Sequence, residues 1–375
     1  MDSNVQEKGL HASSATLTAE ESTASSPTHQ YISPFLDNDA YSRHRAALII
    51  LNTPIVITTG KTPNDRRLSG VLGVLWESSS FRVCADGGAN RLYDATVSSF
   101  PLKSESESVP SPPDSSSSSC TENRYLPDLI TGDLDSLQPH VREYYEARGV
   151  PIVRVEDQNY HDLDKSLMAV EKWMESLEVR DSDDGVGDMP QSHRNNDVDS
   201  TITTATKIKT TSSSSSSSSS SLSKTFIYGG FGGRFDQEMG CINALCVWGK
   251  KKSFHHNSMA VYGEETCAFV LPASPVTNEI RIRFPNGNDK LIVRDEKHCN
   301  EVEQVGEGPT CGLIPLGGRC DHVFTTGLKW NLEGDVPLEF GGLVSSSNRV
   351  MEDVVTVSTS LPMLFTTEMI VAKQG

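Results

Sequence analysis

Between residues 46 and 248, short apolar runs alternate with stretches of helical spacing, and this alternation limits the fold more than any other feature. "AALIILN" (46 to 52), "FRVCAD" (81 to 86), "DLIT" (128 to 131), "PIVRV" (151 to 155) and "TFIYGG" (225 to 230) suit buried strands and are too short for helices. From Asp162 to Leu177, the residues Leu163, Leu167, Val170, Met174 and Leu177 step by four and three, the stripe of a helix lying on a sheet. A second helix is predicted from about Phe235 to Trp248. Strand and helix in turn give a parallel sheet covered on both faces, a Rossmann-like α/β layer.

After residue 258 the texture changes. "MAVYGEETCAFVLP", "EIRIRF", "KLIVRD", "VFTTGLKWNL", "LEFGGLVSSSN" and "VVTVSTSLPMLFTT" follow one another with Gly, Pro and Asn turns and no helical stripe. That pattern predicts an all-β sandwich. The expected organisation is a disordered tail over 1–40, an α/β catalytic domain over 41–257 and a β-sandwich domain over 258–375. Disordered Ser-rich inserts are expected at 103–123 and 181–224, the second containing an unbroken run from Ser212 to Ser221. Such inserts belong in surface loops, where added length is tolerated.

A formal charge of −17 argues against general affinity for nucleic acid, which needs a basic face. The eight cysteines form no C-x-x-C pair and no zinc-like spacing with histidine, as in a protein with reduced thiols. There is no apolar leader segment and no run long enough to span a membrane, so the expectation is a cytoplasmic protein.

Four polar clusters lie at the C-terminal ends of predicted parallel strands: Asp86 in "CADGGANRLYD"; Asp133 and Asp135 in "ITGDLDSL"; Asp157, Gln158 and Asp162 in "VEDQNYHDLDKSL"; Arg234, Asp236 and Gln237 in "YGGFGGRFDQEMGCINAL". That edge of an open α/β sheet is where ligands bind. Asp133 and Asp135 stand two apart, where extended backbone would point both to one side. Carboxylates gathered without Cys or His suit magnesium, and the adjoining glycines let backbone N–H groups approach phosphate oxygens. Plainer roles exist for each piece: Asp162 as a helix N-cap, Asp86 as a turn residue, Trp330 as a core aromatic.

In order along the chain, "ADGGANRLYD", "PDLITGDLDSL", "DQNYHDLDKSL", "YGGFGGRFDQEMGCINAL", "GLIPLGG", "TTGLKWNL" and "FGGLVSSSN" closely resemble the thiamine pyrophosphokinase family. The resemblance implies pyrophosphoryl transfer from ATP to thiamine with release of AMP, using magnesium, in a homodimer whose thiamine site lies at the interface. Carried over by position, it makes Asp133, Asp135 and Asp162 the catalytic and metal-binding carboxylates, with Asp162 or Asp135 accepting the hydroxyl hydrogen. It puts Asp86, Gly87, Gly132, Lys165, Gly232, Arg234, Asp236 and Gln237 among the binding residues, and Gln158 near thiamine. Trp330, Ser345, Ser347 and Asn348 would wall the thiamine pocket from the partner subunit. Tyr160 and His161 stand where the family has Ser-Thr, and Asp164 is an additional acid.

Overall fold

The computed structural model describes residues 27–34, 45–58, 67–68, 70–97, 124–183, 223–251, 253–254, 259–282 and 303–373. In chain order the elements are β1 (Thr28–Ile32), β2 (Ala46–Ile50), β3 (Ile57–Thr58), β4 (Arg67–Leu68), α1 (Gly70–Glu77), β5 (Phe81–Ala85), α2 (Gly88–Thr96), β6 (Leu129–Gly132), α3 (Pro139–Glu146), β7 (Ile152–Arg154), α4 (Asp162–Asp183), β8 (Lys224–Tyr228) and α5 (Phe235–Trp248). There follow β9 (Met259–Tyr262), β10 (Thr266–Leu271), β11 (Thr277–Arg281), β12 (Glu303–Pro315), β13 (Val323–Thr326), β14 (Ser345–Arg349), β15 (Val355–Thr359) and β16 (Met363–Lys373).

The fold is mixed α/β and is dominated by one ten-stranded sheet in the order β14-β12-β16-β10-β9-β8-β2-β5-β6-β7. The six strands from β9 to β7 are mutually parallel. At its centre β2, Ala-Ala-Leu-Ile-Ile, is buried at every position, as a strand covered on both faces requires. Leu48 and Ile50 share a core with Leu72, Leu92 and Val141 of α1, α2 and α3. Ala47 and Ile49 point the other way, into a core with Leu163, Leu167, Val170 and Met174 of α4 and with Ala244, Leu245 and Trp248 of α5. The predicted stripe of α4 is therefore the face that packs.

The chain walks outward through β2, β5, β6 and β7, and α4 then returns it to β8 on the other side of β2. Strand order reverses there, and such a reversal opens a crevice at the C-terminal strand ends.

Beyond β9 the sheet turns antiparallel through β10, β16, β12 and β14. A four-stranded sheet, β1-β11-β15-β13, covers this part. Ile280, Val323, Val355 and Val357 of the small sheet join Phe269, Leu313 and Phe365 in the same core that holds α1 to α3. Helix α1, "GVLGVLWE", is buried from Gly70 to Trp76 within that shared core.

Two expectations change. Residues 28–32 lie within the tail expected to be disordered, yet they form β1, paired in parallel with β11. Tyr31 stacks on Phe269 with ring centroids 3.6 Å apart, so this strand contributes to the core. The all-β part also has no sheet of its own on one side: β9, placed after the 257/258 boundary, continues the parallel ladder from β8. The rest of the tail, both Ser-rich inserts apart from the end of α4 and the start of β8, and "KLIVRD" lie outside the described residues. No helix among the described residues is long and apolar enough to cross a membrane.

Candidate active site

Strand β6 ends at Gly132 on the crevice edge and delivers Asp133. Leu134 then takes a left-handed conformation (φ 63°), so the chain is no longer extended and the expected same-side pairing of Asp133 and Asp135 does not form. Asp135 is exposed; its N–H donates to Asp133 Oδ1 (3.3 Å), and its Oδ1 accepts from Ser136 Oγ (3.1 Å). The carboxylates that do converge are Asp86, Asp133 and Asp162, with one oxygen of each within 4.8 Å of the others. They come from the ends of β5 and β6 and the first residue of α4. Gly132 makes the convergence possible: a Cβ there would sit 2.9 Å from both Asp162 Oδ1 and Asp86 Cβ.

Lys165, one turn along α4, reaches into the cluster. Its Nζ is 3.3 Å from both Asp133 Oδ2 and Asp162 Oδ1, and its side chain is only 1% exposed. Burial by itself would lower the Lys165 pKa, but hydrogen bonding and attraction from the two carboxylates outweigh it and hold the value above normal. Burial likewise works to raise Asp133, and is outweighed by the Asp135 N–H and Lys165, which keep its pKa below the usual carboxylate value.

Asp86 differs from both. It is 4% exposed, with φ 41°, and its Oδ2 accepts the Ser136 N–H (3.2 Å). Its Oδ1 is buried without a hydrogen-bond partner. Burial, with the nearby charge of Asp162, raises its pKa despite the Ser136 hydrogen bond. A buried anionic oxygen with no donor is what a cation site needs, and three carboxylates suit a hard, oxygen-liganded ion.

The same arrangement strains the metal-free fold. Because the folded-state pKa is raised, the penalty for an ionised Asp86 is absent below the unfolded carboxyl pKa of about 3.9 and fully present above the folded value. Asp86→Asn should therefore melt higher at pH 7 in EDTA, by about 2–4 °C if relieving the unpaired oxygen is worth about 1 kcal/mol. Melting curves at pH 7 and near pH 3.5 test this, since the difference should vanish at the lower pH.

Other expected site residues lie around the cluster. Arg234 and Asp236 form an exposed fork-to-carboxylate pair at the start of α5, in which Arg234 Nε is 3.0 Å from Asp236 Oδ1. That pairing raises the Arg234 pKa and lowers that of Asp236. The N–H groups of Gly232 and Gly233 donate to Glu238 Oε1 (3.0 and 3.2 Å), which fixes the glycine loop against α5. Gln158 and Gln237 are exposed. Asp164 is structural: it accepts from Trp248 Nε1 (2.7 Å) and from the His161 N–H (3.2 Å), tying α4 to α5 and capping α4.

Trp330, Ser345 and Asn348 do meet, and Ser347 lies beside Asn348 on β14 with a left-handed φ of 58°. Asn348, 3% exposed, donates to Trp330 O (2.8 Å) and accepts from Trp330 N–H (3.3 Å), while its Nδ2 also reaches Ser345 Oγ (3.3 Å). The Trp330 ring is 56% exposed, not a core aromatic, with Lys329 Nζ 4.5 Å from its centroid. Asn348 therefore positions the Trp330 backbone and leaves the ring presented.

Three supporting residues escaped the sequence reading. Asn90 donates to Ser136 O (2.7 Å) and accepts from the Gln138 N–H (3.1 Å), anchoring the 133–138 loop to α2. Asn52, directly beyond β2, lies against Gly87 and accepts from Arg91 Nε (2.8 Å). Thr53 Oγ1 donates to Gly229 O (2.6 Å) across the reversal point. For Asn52 and Thr53, their position directly after β2 was the available signal; Asn90 lies in α2 beyond β5.

Comparison with known proteins agrees with this geometry. Residues 72–256 match the family described as thiamin pyrophosphokinase, catalytic domain, and residues 297–364 match thiamin pyrophosphokinase, vitamin B1 binding domain. Thiamine pyrophosphokinase 3 of Oryza sativa subsp. japonica is 31% identical over 305 residues, 80% of this chain and 84% of that protein. Thiamine pyrophosphokinase of Saccharomyces cerevisiae is 28% identical over 282 residues, 74% of each. In fold, the chain is similar to the crystal structure of yeast thiamin pyrophosphokinase, with a TM-score of 0.57 at 22% identity over 92% of this chain and 91% of that one. Thiamin pyrophosphokinase from Candida albicans gives 0.54 at 24% identity, over 92% and 94%. With both parts matched in order and a relative 31% identical over 80% of this chain, the chain belongs to the thiamin pyrophosphokinase family.

Proposed function

We propose that the chain transfers a pyrophosphoryl group from ATP to the hydroxyl of thiamine, giving thiamine diphosphate and AMP. The observation that carries this reading is the Asp86, Asp133 and Asp162 cluster at the strand reversal of a chain in this family. Transfer of this kind depends mainly on positioning and on neutralising phosphate charge. Asp86, Asp133 and Asp162 would hold magnesium, which supplies that neutralisation when bound. Lys165 bridges Asp133 and Asp162 and holds them at fixed spacing. For Arg234 to contact a phosphate it must leave Asp236, and opening an exposed ion pair costs little. Of the two candidate bases, Asp162 Oδ1 already accepts from Lys165 and the Asp133 N–H, whereas among the described residues the Asp135 carboxylate accepts only the Ser136 hydroxyl and is the freer.

Trp330, supported by Ser345, Ser347 and Asn348, would wall the thiamine site, its ring face stabilising the cationic thiazolium. Trp330 at 56% and Phe340 at 72% exposed are apolar surface of the kind a second subunit covers, in keeping with a homodimer whose thiamine site lies at the interface. Within this reading the enzyme is cytoplasmic, in keeping with the free thiols of the six cysteines among the described residues.

Incubation with thiamine, ATP and magnesium should give thiamine diphosphate and AMP in equal amounts, whereas phosphate without AMP would indicate a hydrolase. Trp330→Ala should raise the KM for thiamine about tenfold by removing the ring face, with the KM for ATP unchanged. Initial rates with each substrate varied in turn measure both.

A further inference from the structure

Among the described residues, four cationic side chains near the crevice edge are Lys165, Arg234, Arg154 and Arg91, and the first three are already committed to carboxylates. Lys165 bridges Asp133 and Asp162, Arg234 pairs with Asp236, and Arg154 pairs with Glu156 at 3.4 Å while its Nε donates to Asp133 O (3.1 Å). The fourth, Arg91 in the first turn of α2, has no carboxylate partner among the described residues. Its Nε donates to a neutral acceptor, Asn52 Oδ1, at 2.8 Å. That bond orients the guanidinium and leaves its two terminal nitrogens and its full charge unspent.

The place of this group in the fold is equally specific. Asn52 follows β2, the strand at which the sheet order reverses, and its side chain lies against Gly87. A Cβ on Gly87 would also lie 3.3 Å from Ser136 Cβ, and the Ser136 N–H donates to Asp86. Asn52, which holds the guanidinium, and Ser136, which holds Asp86, thus lie against the same glycine. A metal-bound polyphosphate offers two kinds of surface: oxygens shared with the metal, and non-bridging oxygens that still need a cation. The acid cluster serves the first kind, and an oriented arginine serves the second.

We infer that Arg91, held by Asn52, binds the non-bridging phosphate oxygens of the nucleotide and so sets the affinity for ATP. This rests on the ATP-dependent reading above for the identity of the ligand. Arg234, exposed and neutralised by Asp236, then engages only after exchange, whereas Arg91 is ready to bind.

The test is calorimetric titration of ATP with magnesium, and separately of thiamine, into the full chain and into Arg91→Gln and Arg91→Lys, with melting temperatures alongside. Arg91→Gln should bind ATP at least about tenfold more weakly, thiamine equally well, and melt as the parent does; Arg91→Lys should recover part of the affinity. Weakened ATP binding should also depend less steeply on salt. Unchanged ATP affinity in Arg91→Gln would overturn the inference, and so would equal loss of ATP and thiamine binding. If Arg91→Gln did not fold, full ATP affinity in Arg91→Lys at every salt concentration would count against an oriented guanidinium. Parent protein that binds ATP but forms no thiamine diphosphate would sink the assigned reaction alone, because the titrations read Arg91 without turnover.

Discussion

Asp133→Asn should lower turnover by about a thousandfold or more while the protein still folds. Asparagine keeps the shape of the side chain and removes the charge that faces Asp162 and Lys165. Interactions aimed at developing charge in a desolvated site are worth about 10²–10³ each, and loss of a metal ligand adds to that. The substitution strikes at one corner of a three-carboxylate site, so the effect should appear in turnover, not in the KM for thiamine, whose proposed wall is Trp330 with residues of β14. EDTA should abolish the parent activity and magnesium should restore it. Product formation in Asp133→Asn within tenfold of the parent, with unchanged circular dichroism, would remove the cluster from the mechanism.

Gly88→Ala should unfold the protein more readily than any other single methyl addition along this edge, by about 3 kcal/mol or more. A Cβ at Gly88 would lie 2.3 Å from Ile50 O and 3.1 Å from Ile50 C, both backbone atoms of the central strand. Neither can turn aside as a flexible side chain would, so α2 must move away from β2 and take Gly87 and Arg91 with it. Gly240→Ala is the control: nothing lies within 4 Å of that Cβ, and an alanine inside α5 should stabilise by about 0.5–1 kcal/mol. Urea titrations of both variants give the comparison, and a Gly88→Ala midpoint equal to the parent's would refute the close packing.

How much of this was legible in the sequence depends on which physical signal each element carries. The parallel strands and α4 announced themselves because their periods differ: β2 is apolar throughout, and α4 places Leu163, Leu167, Val170 and Met174 on one stripe. Helix α1 gave no such stripe, since it is buried from Gly70 to Trp76 and has no polar face to set a phase. Strand β1 was hidden for a different reason. Its five residues sit in a polar segment, and only Tyr31 is buried, so the pairing with β11 is a tertiary event that no local pattern encodes.

For the site, Asp133 and Asp162 were legible as part of an acid cluster from their place at or just beyond strand ends and from the family resemblance. Extended geometry selected Asp135 as the third partner, and the left-handed Leu134 undoes that geometry. The third carboxylate is Asp86, which had the plainer reading of a turn residue; it is in fact a left-handed turn residue whose side chain points into the cluster. Trp330 and Asn348 were found by resemblance, but only the hydrogen bonds between them separate the presented ring from the residue that positions it.

The unbroken ladder through β8, β9 and β10 bears on how the enzyme can move. Many two-part kinases open and close like jaws about a flexible joint. Here a joint between the parallel and antiparallel parts would have to tear the pairing of Cys267 with Tyr262 and of Ala268 with Val261, in the middle of the sheet. The two parts are therefore joined through a continuous sheet, which leaves loops, not a hinge between the parts, as the place where movement can occur.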